Sequence, residues 1–171
     1  MVRRSVKMLN YKDERNLEKI YRSAVRGLYA RLASNYDFIY SKFGDDGIKL
    51  IADMSREYGL SVAARAMNRQ KSYDLNSVAE YLLRIFNTVN WDRKDVTELV
   101  EVDNSRIVIK ARDCPLHFTN PQICLAHTTM EKTVVETLNP GLRYRIGKSI
   151  PAGDAYCEHI IEVWSRDDME H

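Results

Sequence analysis

The sequence predicts an α+β fold: an N-terminal helical region followed by a ββαββ unit, whose antiparallel sheet is packed on one face by helices. Two observations predict it. Apolar residues recur at three- and four-residue steps through the first half, as in amphipathic helices, and the period changes to two after residue 95, as in half-buried strands. A chain of 171 residues fits one domain, here 1–171, with a helical subregion 1–92, a ββαββ subregion 93–165 and a tail 166–171.

Four helices are predicted in the helical subregion, because turn residues and capping residues interrupt the apolar stripe three times. The expected boundaries, in chain order, are Asp13 as the first cap, a turn at 44–47, Gly59 as the end of the second helix, a third helix from Ser61 to Met67, and Asp74 or Asn76 as the start of the fourth. Leu17, Ile20 and Leu28 are expected to share one face of the first helix.

The second half alternates apolar and polar residues in four segments, with one helix between the pairs. The expected elements are a hairpin of strands 98–102 and 106–111, a helix from Pro121 to Leu138, and strands 142–150 and 156–164. Arg143 and Arg145 are expected to face solvent, because Leu142, Tyr144 and Ile146 supply the apolar face of their strand. Such an order leaves a cleft between the sheet and the helices.

Composition excludes several classes of protein. The hydrophobic fraction of 44% and charged fraction of 29% are typical of a globular protein, no segment is apolar enough to cross a bilayer, and no apolar signal stretch follows Met1. A net charge of +2 gives no general attraction for nucleic acid, so neither nucleic acid nor a membrane is an expected partner. Three cysteines, an odd count, argue against a disulfide framework and indicate the cytoplasm.

Cysteine and histidine side chains are expected to meet at one end of the sheet. Cys124, His127 and Glu131 follow i, i+3, i+7 spacing, so they share a helix face. Cys157 and His159 are two residues apart on the last strand, so they point to the same side. Cys114 ends the second strand near the loop that leads to the helix, and it adds a third thiol.

This cluster has three chemical interpretations. Cys114, Cys124, His127 and Cys157 are candidate ligands of a metal, for which zinc is the natural choice, since thiolate and imidazole are its preferred ligands. The alternative, inert core cysteines, is favoured by the lack of a compact Cys-x-x-Cys pair. Nucleophilic catalysis would use a thiolate, a base and an orienting carboxylate. Its candidates are Cys157 or Cys124 as the thiolate, His127 or His159 as the base, and Glu131 or Asp154 as the carboxylate.

The segment 149–158, Ser-Ile-Pro-Ala-Gly-Asp-Ala-Tyr-Cys-Glu, resembles the Gly-Asp-x-x-Cys hairpin of the 4-vinyl reductase domain family. It is also similar to the related hydrolases of L-2-amino-thiazoline-4-carboxylate, in which a Cys-Pro segment and a cysteine-bearing helix precede the hairpin, as Cys114-Pro115 and Cys124 do here. The likeness covers roughly residues 97 to 165. Many members carry a further cysteine seven positions before the hairpin cysteine, where this chain has Ile150.

The resemblance implies a domain that binds a small hydrophobic or heterocyclic molecule, in some members beside a metal held by cysteines. The first hypothesis is therefore a small-molecule-binding, ligand-sensing domain with a cysteine-lined pocket, in which Cys114, Asp154, His159 and Tyr144 contact the ligand. The second is a hydrolase of a cyclic amidine that uses Cys157, Cys124, His127 and Glu131. The third is a structural or assembly protein, and a homodimer is left open.

Overall fold

The computed structural model describes residues 14–69, 71–90 and 96–164 and confirms the α+β class. Three sequence expectations lie outside those residues: the Asp13 cap, the change of period at 91–95 and the tail 166–171. The elements are α1 Glu14–Phe43, α2 Asp45–Met67, α3 Leu75–Val89, β1 Thr97–Val102, β2 Arg106–Ala111, α4 Pro121–His127, α5 Thr129–Leu138, β3 Leu142–Ile146, a 3₁₀ turn Ile150–Ala152 and β4 Cys157–Val163. None of these helices combines the length and apolarity needed to cross a membrane.

The boundary between α1 and α2 falls at Gly44, the first residue of the expected turn 44–47, whereas residues 45–47 already belong to α2. Gly44 separates the two helices with a φ of 53°, a left-handed conformation that favours glycine. Asp74 caps α3 as predicted, because its side chain accepts a hydrogen bond from the backbone N–H of Ser77.

The expected end of a helix at Gly59 is wrong, because α2 continues through this residue to Met67. Gly59 is buried where α2 crosses α5, and a Cβ there would lie 2.8 Å from the carbonyl oxygen of Met130 and 2.8 Å from Cβ of Thr133. The glycine therefore allows close helix packing. The separate helix predicted from Ser61 to Met67 is the last part of α2.

The four strands form one antiparallel sheet in the order β1-β2-β4-β3. Because β4 pairs with β2, Cys157 lies opposite Ala111 and His159 opposite Ile109. Arg143 and Arg145 lie on the opposite face, where the Arg145 guanidinium pairs with Glu162 at 3.0 Å. The helices cover the face that carries Cys157 and His159, which is the arrangement predicted from the period of two.

The core has two parts, which contact different stretches of α2 along its length. The larger part packs α2, α3 and α5 against the sheet and includes Leu82, Ile109 and Ile161, all fully buried. The smaller part packs α1, α2 and α4 around Tyr36, Ile51 and Ile123. The cavity described below opens between these two parts.

Two predicted elements are interrupted. The helix predicted from Pro121 to Leu138 is broken at Thr128, where ψ is −3° and the hydroxyl donates to the carbonyl of Leu125, a bond that bends helices. The strand predicted for 142–150 ends at Ile146, because Ser149 turns the chain into the 3₁₀ segment that contains Pro151.

The close helix contact predicts the result of Gly59→Ala. The added methyl group would overlap backbone as well as side chain of α5, so the free energy of unfolding should fall by about 1–3 kcal/mol in a urea titration. Gly27→Ala is the matched control, since this exposed helical glycine has nothing within 4 Å of the added Cβ. The control should be neutral or up to about 1 kcal/mol more stable. Equal behaviour of the two variants would contradict the packing argument.

Candidate functional site

A cavity of about 510 Å³ lies between the helices and the end of the sheet at which β4 begins. Its walls come from every helix, the loop 113–118 and the start of β4, and most of them are apolar or aromatic. Six of the residues singled out from the sequence line it: Cys114, Cys124, His127, Glu131, Cys157 and His159. The chain thus brings two distant stretches, 114–131 and 157–159, to one enclosed space.

Two other candidates, Asp154 and Tyr144, are placed outside the cavity lining. Asp154 is exposed, and its side chain accepts a hydrogen bond of 2.8 Å from the backbone N–H of Ser149. Gly153 has a φ of 99° and ends the 3₁₀ turn. The Gly-Asp pair therefore shapes the turn, and ligand contact by Asp154 stays a prediction.

The turn in front of β4 positions Cys157. The backbone N–H of Ile150 donates to Cys157 Sγ at 3.3 Å, so the 3₁₀ turn holds the first residue of β4 through a backbone contact. Across the cavity wall, the Ser149 hydroxyl lies 3.8 Å from Cys124 Sγ.

Burial keeps all three thiols protonated near neutral pH. It raises the pKa of Cys124 to about 11, and burial is also the main cause of the raised pKa values of Cys114 and Cys157. Since the thiolate is the nucleophile and the metal ligand, these thiols are poorly prepared for either task in this state.

His127 lines the cavity with a buried ring. The ring packs against Phe118 and Tyr36, with centroid distances of 5.3 and 5.8 Å, and these two rings also stack on each other at 6.0 Å. Among the described residues, Nδ1 of His127 has no hydrogen-bond partner. Burial lowers the pKa of His127 to about 4, so the ring is neutral at pH 7.

Glu131 is the second buried side chain with an unpartnered atom. It is 5% exposed, and its Oε2 has no hydrogen-bond partner in the described part of the chain. Burial raises the pKa of this carboxyl to about 7. Near neutral pH, a large fraction of Glu131 is therefore the uncharged acid, which can donate as well as accept a hydrogen bond.

A hydrogen bond with Tyr144 positions the imidazole of His159. The Tyr144 hydroxyl and His159 Nδ1 are hydrogen-bonded at 2.7 Å in a fully buried pair, and the Phe86 ring lies 4.5 Å from the imidazole. Burial lowers the pKa of His159 to about 4 and raises the pKa of Tyr144. Tyr144 is thus a neighbour that positions a cavity residue.

Sequence reasoning missed several lining residues from the helical half, among them Ser55, Phe86 and Asn90. Ser55 is 4% exposed, and within the described residues its Oγ makes no hydrogen bond of ordinary geometry; its polar neighbour is the hydroxyl of Tyr36. A signal for it was available: Ser55 interrupts the apolar stripe of α2 at four-residue spacing from Ile51. A polar residue at a buried position of an amphipathic helix needs a partner or a ligand.

The metal candidates were tested for fit against the described residues. No group of three or more His, Cys, Asp or Glu side chains within residues 14–69, 71–90 and 96–164 is placed to hold a metal ion. Protonated thiols are also poor ligands. Zinc binding by Cys114, Cys124, His127 and Cys157 stays a prediction, and no chemical step is derived through it.

The buried carboxyl of Glu131 predicts a pH-dependent stability. Below about pH 4.5 the group is protonated in both the folded and the unfolded chain, so burial carries no ionic cost. Between 4.5 and 7 only the unfolded chain loses the proton, so this contribution to stability falls as pH rises. Glu131→Gln removes the ionisable group and with it this pH dependence. The free energy of unfolding of the variant should therefore exceed that of the wild-type chain by a margin that grows to about 3 kcal/mol at pH 8.

Paired urea titrations at pH 4.5 and pH 8 measure this margin. Glu57→Gln makes the same substitution at an exposed position of α2 and is the control; at pH 8 it should change the free energy of unfolding much less than Glu131→Gln does. A pH-independent difference for Glu131→Gln would show that the carboxyl is not held in its uncharged form.

The fold is shared with solved structures of two different kinds of protein. No protein-family model matches the chain, and no curated protein does. Trafficking protein particle complex subunit 3 from Naegleria fowleri, covalently bound to palmitic acid, matches with 13% identity and a TM-score of 0.56, over 80% of this chain and 95% of that one. The phenol-responsive sensory domain of the transcription activator PoxR with phenol matches with 14% identity and a TM-score of 0.55, over 83% of this chain and 79% of that one. At these identities the likeness establishes a common fold.

Proposed function

We propose that this domain binds a small, uncharged and mainly apolar molecule that carries one hydrogen-bonding group. The observation that carries the proposal is the cavity, in which two buried polar atoms without partners, Nδ1 of His127 and Oε2 of Glu131, belong to lining side chains. Buried polar atoms are nearly always hydrogen-bonded in folded proteins, so exceptions in one place need an explanation. A ligand that supplies the missing partner gives one.

The size of the cavity suits such a ligand. Small-molecule sites measure about 300–1,000 Å³ and are lined mainly by hydrophobic and aromatic side chains with a few polar groups. The cavity of about 510 Å³ has these properties, with Phe86, Phe118 and Tyr36 among its walls. It has room for a compound of one or two rings.

The electrostatics favour an uncharged ligand. The cavity holds neutral imidazoles and protonated thiols, with raised pKa values at Cys124 and Glu131. An anion would lose its hydration without meeting a cation there, and its charge would oppose ionisation of Glu131. A neutral molecule that carries a hydroxyl or amide group avoids both costs.

Binding is better supported than catalysis. A cysteine nucleophile needs a lowered pKa or an adjacent base, whereas burial raises the pKa of all three thiols. The hydrolase of a cyclic amidine that uses Cys157, Cys124, His127 and Glu131 therefore stays a second, weaker prediction. This hydrolase prediction requires at least that the Cys157→Ser variant no longer hydrolyses the cyclic amidine.

The two structural neighbours hold small molecules in their own structures, one phenol and the other covalently bound palmitic acid. This supports a ligand-sensing domain as one use of the fold, and a subunit of an assembly as another. Membership of the 4-vinyl reductase domain family, a homodimer and a cytoplasmic location stay predictions.

Thermal unfolding with phenol, toluene, indole and benzoate tests the proposal. Phenol and indole, which carry one hydrogen-bond donor each, should raise the melting temperature in a concentration-dependent manner, since a ligand at 100 times its Kd adds about 2.7 kcal/mol of stability. Toluene, which has no hydrogen-bonding group, should raise it less. Benzoate, the anionic counterpart, should have little effect at pH 7. The absence of any shift with all four compounds would contradict the proposal.

Ser55→Leu supplies the matched variant. The larger apolar side chain would fill part of the cavity and remove one buried hydroxyl, so the variant should fold and lose the ligand-induced shift. Ser23→Leu makes the same substitution at an exposed position of α1 and should keep the shift. Equal shifts in both variants would place binding elsewhere.

A further inference from the structure

A second concave site lies on the other side of α3. It is an open groove of about 590 Å³ between the C-terminal end of α2 and α3. Its lining on α3 recurs at helical spacing, so it forms one stripe of that helix: Ser77, Glu80, Tyr81, Arg84, Ile85 and Thr88. The remaining lining residues come from the end of α2 and the segment after it: Arg65, Arg69, Lys71 and Ser72.

The groove is strongly cationic. Among the described lining residues, Arg65, Arg69, Lys71 and Arg84 contribute four positive charges, and Glu80 contributes one carboxylate. Within the described residues, none of the four cations forms an ion pair with a carboxylate.

Three cations on α1 and α2 do have local partners. They form ion pairs of 2.5 to 2.8 Å with a carboxylate one turn away: Arg22 with Glu18, Lys49 with Asp46, and Arg56 with Asp53. The groove cations are therefore concentrated around a concavity and are not neutralised locally.

The local contacts of Asp74 and Arg84 leave the groove cations available to a ligand. Asp74, at the start of α3, accepts hydrogen bonds from Ser77 N–H and the Ser72 hydroxyl. The guanidinium of Arg84 lies 5.8 Å from the Tyr81 ring centre, which supports its position without satisfying its donors.

We propose that this groove binds a small anion that carries several negative charges, of the di- or triphosphate class. Guanidinium groups bind phosphate oxygens through paired hydrogen bonds, and several unpaired cations around one concavity match several phosphoryl groups better than a single charge. The groove is a separate site from the apolar cavity, since Ile85 is the one residue that lines both.

Calorimetric titration with inorganic pyrophosphate, with orthophosphate as the singly phosphorylated comparison, tests this site. Pyrophosphate should bind more tightly than orthophosphate, and its affinity should fall as sodium chloride is raised, because exposed charges are screened. Arg69→Gln and Arg84→Gln should each weaken pyrophosphate binding by about threefold or more. Glu80→Gln should strengthen it, because the variant removes the carboxylate that faces the bound charge.

Arg31→Gln is the matched control, since it removes one positive charge from an exposed position of α1 outside the groove. An equal loss in Arg31→Gln and Arg84→Gln would overturn the proposal in favour of a response to net charge. Binding of phosphatidylglycerol vesicles without binding of pyrophosphate would overturn it in favour of a membrane surface. Ser55→Leu should keep pyrophosphate binding, so failure of one site is distinguishable from failure of the other.

Discussion

The contact between α2 and α5 at Gly59 is the constraint on which the cavity depends. A side chain at this position would collide with Met130 and Thr133, so the two helices approach as closely as their backbones allow. Glu131 lies between those contact residues, and Ser55 lies one turn before Gly59 on α2. The packing of the helix pair therefore fixes the rotation of α5 and places two buried polar side chains, Ser55 and Glu131, at the wall of the cavity.

This arrangement has an energetic cost that the core must offset. A buried polar atom without a partner costs about 1–3 kcal/mol, and in the described part of the chain two such atoms, on His127 and Glu131, belong to side chains that line one cavity. Residues packed around fully buried Ile51 and Val134 supply the compensating apolar burial. Because the polar atoms are already desolvated and held in place, a ligand that completes their hydrogen bonds has little further ordering cost.

Sequence patterns predicted the features that depend on periodicity. The period of two placed Cys157 and His159 on the sheet face that meets the helices, and the change of period gave the α+β class. The sequence patterns failed where one residue type can serve two structural roles. Gly59 carries the local signal of a helix end but serves close packing, and Thr128 is an acceptable helical residue whose hydroxyl bends the chain. The role of Ser55 depends on which helix lies opposite, and that information is not local.

Helix α3 separates two environments, an apolar cavity and a cationic groove, which would favour ligands of opposite polarity. On the cavity side, Phe86 and Asn90 border a space in which burial suppresses charge, so a charged ligand would lose more hydration energy than it gains. On the groove side, Arg84 projects into solvent, where an apolar ligand would gain little burial and an anion meets cations without deep desolvation. Ile85 borders both sites, yet neither environment suits the ligand of the other. One helix can therefore serve two sites without competition between their ligands.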